Sequence, residues 1–76
     1  MKKPDTIRRM LRATRILRGY DQTQLARATR LKQPDISLYE TGRRTPTREA
    51  AIRISRVLGT EPMLIFPEIF QAIPQI

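Results

Sequence analysis

Cysteine and histidine are both missing from the 76 residues. Their absence excludes disulfides and the usual His/Cys zinc sites, and it matches the residue usage of a reducing compartment. No run of about 18 apolar residues occurs, so no segment reads as a membrane span. The first stretch, MKKPDTIRRMLRATR, is basic but keeps its charges throughout. It lacks the apolar centre of a signal peptide, and the expected location is cytoplasmic. There is no paired-carboxylate motif and no glycine-rich phosphate loop. Without His and Cys as well, the sequence offers no constellation for catalysis, and neither an enzyme nor a cofactor or metal is expected. No strand pattern, internal repeat or low-complexity segment appears.

Basic residues are plentiful. Fifteen Lys and Arg against seven Asp and Glu give a net charge of +8. All the basic residues lie at or before Arg56, and residues 57–76 carry only Glu61 and Glu68 as charges. A basic working part is thus set apart from a neutral, apolar end. Such a domain fits an anionic polymer, because neutralising phosphates releases counterions. The plainer alternative is that the arginines keep a small helical protein in solution. A chain of this length makes one domain, and compact helices are an economical way to build its marginal core.

Helical spacing recurs along most of the chain. From Asp5 to Arg18, the positions Ile7, Met10, Leu11, Thr14 and Leu17 form a stripe, with Arg8, Arg12 and Arg15 on a neighbouring face. Gly19 ends this helix. Asp21 and Gln24 have capping-box spacing for a second helix, whose inner face is Leu25, Ala28 and Thr29, with the small Ala26 beside it. The chain must turn at Arg30-Leu31-Lys32, because Pro34 fits only the first turn of a new helix. A third helix spans about 33–41, with Ile36, Tyr39 and Glu40 on one side, and Gly42 closes it. Thr47 caps a fourth, striped by Ala51, Ile54, Val57 and Leu58 and ended by Gly59. A short fifth follows, from Glu61 to about Phe66. Beyond it, PEIFQAIPQI holds two prolines, which argue for extended or irregular chain.

Two short helices joined by a three-residue turn, Gln22 to Glu40, meet the requirements of a helix-turn-helix. Ala26 is the small residue at the crossing, and Leu25, Leu31, Ile36 and Tyr39 are the apolar anchors. The second of these helices presents its N-terminal end outward, where the dipole and free N–H groups suit a phosphate backbone.

The stretch YDQTQLARATRLKQPDISLYETGRRTP resembles the helix-turn-helix of phage repressor and Cro proteins, the xenobiotic-response-element type. The likeness lies in the LA of the second helix, the IS pair, the Glu before xG and the RRxP loop. It extends over RRMLRATRILRG and TREAAIRISRVLG, covering roughly residues 7–66. The resemblance implies an all-α, compact five-helix bundle with a central helix-turn-helix, lambda-repressor-like, whose recognition helix, residues 33–40, lies in the major groove of double-stranded DNA. By the same resemblance Gln33 is the leading base-reading position, and a Gln can pair with adenine N6 and N7. Pro34, Ser37 and Leu38 face the groove; Pro34 and Leu38 either meet a thymine methyl or only fill space. Gln22 bonds a phosphate and braces the recognition helix. Arg43 and Arg44 lie along the backbone. Glu40 faces Arg15 as a partly buried structural ion pair. Position 30, often Gly in the family, is Arg, and position 32, usually a Ser or Thr cap, is Lys. Arg30 carries a backbone cost there, and both it and Lys32 bring cations to the DNA side.

The resulting expectation is a DNA-binding domain over residues 1–66 and a C-terminal tail over 67–76. The protein is expected to be a sequence-specific transcriptional regulator, a repressor of phage, mobile-element or toxin–antitoxin type, bound to its operator as a homodimer. Met63, Leu64, Phe66, Ile69, Phe70 and Ile73 are the candidates for the dimer contact, because charge vanishes and apolar residues gather there. The alternatives are that the tail folds back over the core, or that it docks on another protein such as a toxin or a polymerase subunit.

Overall fold

The computed structural model describes residues 8–70. Six helices follow in order: α1 Arg9–Leu17, α2 Gln22–Thr29, α3 Gln33–Glu40, α4 Arg48–Leu58, α5 Pro62–Ile65 and α6 Pro67–Phe70. No strand forms among the described residues. The all-α architecture with a central helix-turn-helix is therefore as the sequence implied.

The ends of the helices are set by local chemistry. At the start of α2, the Gln24 amide donates to Asp21 Oδ1 at 2.7 Å and the Asp21 amide donates to Gln24 Oε1 at 2.8 Å, a complete capping box. Thr47 accepts from the Ala50 amide to start α4. Four helices close by the same pair of hydrogen bonds from two successive amides just beyond them, as at α1, where the Gly19 amide donates to the Ile16 carbonyl and the Tyr20 amide to the Arg15 carbonyl. In α1, α3 and α4 the left-handed position is Gly19, Gly42 or Gly59; in α2 it is Arg30, at φ 62°. A side chain in that region costs roughly 1 kcal/mol.

The core is one cluster: Leu11, Leu25, Ala26, Ile36, Tyr39, Ala51, Ile54, Leu58, Ile65 and Phe66. Ala26 is buried in this cluster, and α2 packs on both α3 and α4. Two inner faces differ from the sequence expectation. In α2, Ala28 is exposed, and Leu25, Ala26 and Thr29 turn inward. In α1, Met10 is 50% and Leu17 76% exposed, while Leu11, Thr14 and Arg15 are buried. The cause is rotation of the helix. Leu11 and Arg15 stand roughly a quarter turn or more from Met10 and Leu17, so both pairs cannot face inward. The inward rotation gives two arginines partners: Arg15 meets Glu40, and Arg18 Nε donates to the Leu58 carbonyl at 2.8 Å, at the end of α4.

The chain from 67 to 70 corrects the expectation of an irregular tail. Pro67 opens a helical turn, a place where its missing N–H costs nothing. Amides of Ile69 and Phe70 donate to the Phe66 carbonyl. Ile69 and Phe70 pack half-buried against the core, and the Arg48 guanidinium lies 4.9 Å from the centre of the Phe70 ring. Glu68 pairs with Arg8. Arg8 also donates to the carbonyls of Tyr39 at 2.6 Å and Arg44 at 3.1 Å, so one side chain ties α6 to the end of α3 and the loop after it.

Candidate nucleic-acid interface

Burial of Ile36, Tyr39 and Glu40 fixes which side of α3 faces out. The opposite side then carries exposed Pro34, half-buried Ser37 and Leu38, and exposed Thr41, while Gln33, one turn before Ile36, is exposed as the first residue of the helix. Pro34, Ser37 and Leu38 thus share one face, with Gln33 at its N-terminal edge. Beside it runs a cleft of about 450 Å³ lined by Arg12, Gln22, Ser37, Leu38, Glu40, Thr41 and Arg43. Arg12 of α1 and Arg43 of the loop after α3 thus come to the same cleft.

Four side chains join the surface of α3 to the interior. Arg15 Nε donates to Glu40 Oε2 at 2.5 Å and Arg15 Nη2 to Glu40 Oε1 at 3.3 Å. Gln22 Nε2 donates to the same Oε1 at 3.1 Å, and Gln33 Nε2 donates to Gln22 Oε1 at 2.8 Å. The ion pair is more enclosed than the sequence reading had it, with side-chain exposures of 9% for Arg15 and 4% for Glu40. Arg15 also donates to the Tyr20 carbonyl. Every buried side-chain nitrogen and oxygen among the described residues has a partner, as buried polar groups require.

The remaining basic candidates separate. Arg43 is exposed at the cleft. Arg44 is exposed too but bonds Asp35 at 3.2 Å, so one of its donors is engaged. Burial, and then the Asp35 carboxylate, push the Tyr39 phenol above its usual range, with Arg44 opposing. Lys32 is the N-cap of α3 and makes no side-chain capping bond; it adds charge at that end without closing it. Arg30 does not join the α3 cleft. It lines a separate one of about 270 Å³ with Ala28, Thr29, Arg53, Arg56 and Val57, at the far end of α2 from Gln22.

Sequence reasoning gave Arg12 no role, yet it lines the α3 cleft. The one signal was its place one turn from Arg8 on a basic row; that Arg12 comes beside Ser37, Leu38 and Thr41 is set by how α1 packs on α3. Among the contact candidates at the C-terminal end, Met63 and Leu64 are exposed. Phe66 is corrected: it is fully buried and belongs to the domain's own core. Ile69 and Phe70 are half-buried against that core, and Ile73 lies outside the described residues. No group of three or more His, Cys, Asp or Glu among the described residues comes together as a metal site. No helix among them is long and apolar enough to cross a membrane.

A family model described as helix-turn-helix matches residues 11–65, from the core leucine of α1 to the end of α5. No curated protein and no solved structure matches the chain.

Proposed function

We propose, on the premise that the chain belongs to the phage repressor and Cro-type helix-turn-helix family of DNA-binding regulators, that it is a sequence-specific repressor of transcription. In this reading α3 lies in the major groove of an operator. Gln33 pairs with the edge of an adenine, Ser37 bonds a base edge or phosphate, and Pro34 and Leu38 lie against thymine methyls. Arg12 and Arg43 take phosphates on either side of the α3 face, and Gln22 takes another. Occupying the operator excludes polymerase, so no enzymatic step and no cofactor enter the mechanism. The protein works in the cytoplasm.

The observation that carries the reading is the outward face of α3: Gln33, Pro34, Ser37 and Leu38 beside a cleft edged by Arg12 and Arg43. The test is selection of bound duplexes from random DNA, followed by titration of the selected site at several salt concentrations. A single enriched motif, bound with a steep salt dependence, is the expected result. Weak binding with no enriched motif would remove sequence recognition from the proposal.

One α3 reads only a few base pairs, so we further propose a two-fold dimer on half-sites about 34 Å apart. Met63 and Leu64 of α5 are its contact, since they are exposed and apolar. A second reading has the same pair dock on another protein, as an antitoxin docks on its toxin; the exposure of Met63 and Leu64 favours it equally, and the mass of the free protein separates the two.

A further inference from the structure

The hydrogen bonds that join Gln33 to the interior have a direction, and a carboxylate sets it. Glu40 offers acceptor oxygens only. Its Oε1 takes a proton from Gln22 Nε2 at 3.1 Å. With its nitrogen so engaged, Gln22 turns its oxygen the other way, where it accepts from Gln33 Nε2 at 2.8 Å. Gln33 then keeps one N–H and its oxygen for the outside, in one order. An unrestrained amide rotates by half a turn and offers donor and acceptor in either order; this one does not.

We infer that Glu40 is a positioning residue for base recognition. Acting through Gln22, its carboxylate fixes the order of donor and acceptor that Gln33 presents to DNA, and so the base that Gln33 prefers, without touching DNA itself. The inference rests on the base-reading role proposed for Gln33.

A one-atom change reverses the relay. In Glu40→Gln, Arg15 still has donors only, so the new amide keeps its oxygen on the short Arg15 Nε bond, gives up the longer one from Arg15 Nη2, and turns its nitrogen to Gln22. Gln22 then presents its oxygen inward and its nitrogen to Gln33. Gln33 accepts from Gln22 and shows the DNA an inverted edge. Adenine shows an acceptor at N7 and a donor at N6, whereas guanine shows acceptors at N7 and O6. The inverted edge cannot pair with adenine in the original register, and it can donate to guanine O6.

The experiment compares selections from random duplexes for the wild type, Gln33→Ala, Glu40→Gln and Gln22→Met, each checked for folding by circular dichroism. The position whose preference vanishes in Gln33→Ala is the one Gln33 reads. At that position the preference of Glu40→Gln for the wild-type base falls about tenfold, while the other positions keep theirs. Gln22→Met, which leaves Arg15 and Glu40 paired, broadens the same position only. A folded Glu40→Gln protein that selects the wild-type motif unchanged overturns the inference, as does an equal loss of preference at every position, which marks a structural role alone. If Glu40→Gln fails to fold, Gln22→Met decides: a broadened single position supports the relay, and an unaltered motif overturns it. Should Gln33→Ala select the wild-type motif, the base-reading role itself falls, a result distinct from a failure at Glu40.

Discussion

Arg15 and Glu40, 25 residues apart in sequence, meet in the interior through two hydrogen bonds on one carboxylate. A pair so enclosed adds little net stability, because each charge gave up water to enter. Removing one partner is another matter. Arg15→Met or Glu40→Leu alone should each lower stability by about 3–5 kcal/mol, since an uncompensated charge is left inside. The double variant should lose less than the sum by about 0.5–3 kcal/mol. Denaturant unfolding of the four proteins measures the cycle, and strict additivity would show the two groups to be independent.

Arg12 and Arg43 edge the α3 cleft from opposite elements. As phosphate contacts they should act on affinity and leave base preference alone. Arg12→Ala and Arg43→Ala should each weaken binding to matched and mismatched duplexes alike, and each should reduce the salt slope by about 1. Arg44→Ala should do less, because Arg44 already bonds Asp35. Fluorescence anisotropy on two duplexes across a salt series gives all three slopes. A change confined to the matched duplex would place the residue among the base readers.

Arg30 holds a left-handed backbone that glycine adopts freely. Arg30→Gly should therefore raise stability, by up to about 1 kcal/mol, or roughly 4–8 °C in melting temperature for a domain of this size. A melting temperature that stays level or drops would mean that the Arg30 side chain contributes as much as its backbone costs.

Phe66 and Leu64 are near neighbours with opposite surroundings, one fully buried and the other 57% exposed. Phe66→Ala should lower stability by about 3–5 kcal/mol. Leu64→Glu should leave the monomer's stability within about 0.5 kcal/mol of wild type and abolish the proposed dimer. Thermal unfolding and sedimentation velocity measure the two effects. A Leu64→Glu protein that sediments as the wild type would take α5 out of the contact.

Helix ends were the most legible part of the sequence, because their signals are local. Asp21 with Gln24, Thr47, Pro34 and the three glycines each act on residues within one turn, and each is found at its expected end. The α3 face was legible for a related reason: once Ile36 and Tyr39 turn inward, helical geometry leaves Pro34, Ser37 and Leu38 no other side, and Gln33 is exposed as the first residue of the helix. The α1 face was not. Met10 and Leu17 look like core residues by hydropathy, but the face that turns inward carries Leu11, Arg15 and Arg18; the partners of the two arginines, Glu40 and Leu58, lie 25 and 40 residues away. The same limit hid Arg12 from the cleft and Phe66 from the core. Pro67 misled for a different reason, since proline both breaks helices and begins them, and only the surface onto which Ile69 and Phe70 pack decides between the two.

The bond between Arg8 and Glu68 spans 60 residues, nearly the whole described chain. Closing so long a loop costs more entropy than joining α2 to α3 across their short turn. The order of assembly follows: the central helices pack first, and the two ends meet last. In the native protein the same contact is expected to part first, freeing Arg8 and α6 together while Leu11 keeps the rest of α1 in the core. Amide exchange would then register Arg8 and α6 as a single event, faster than that of the helices between them.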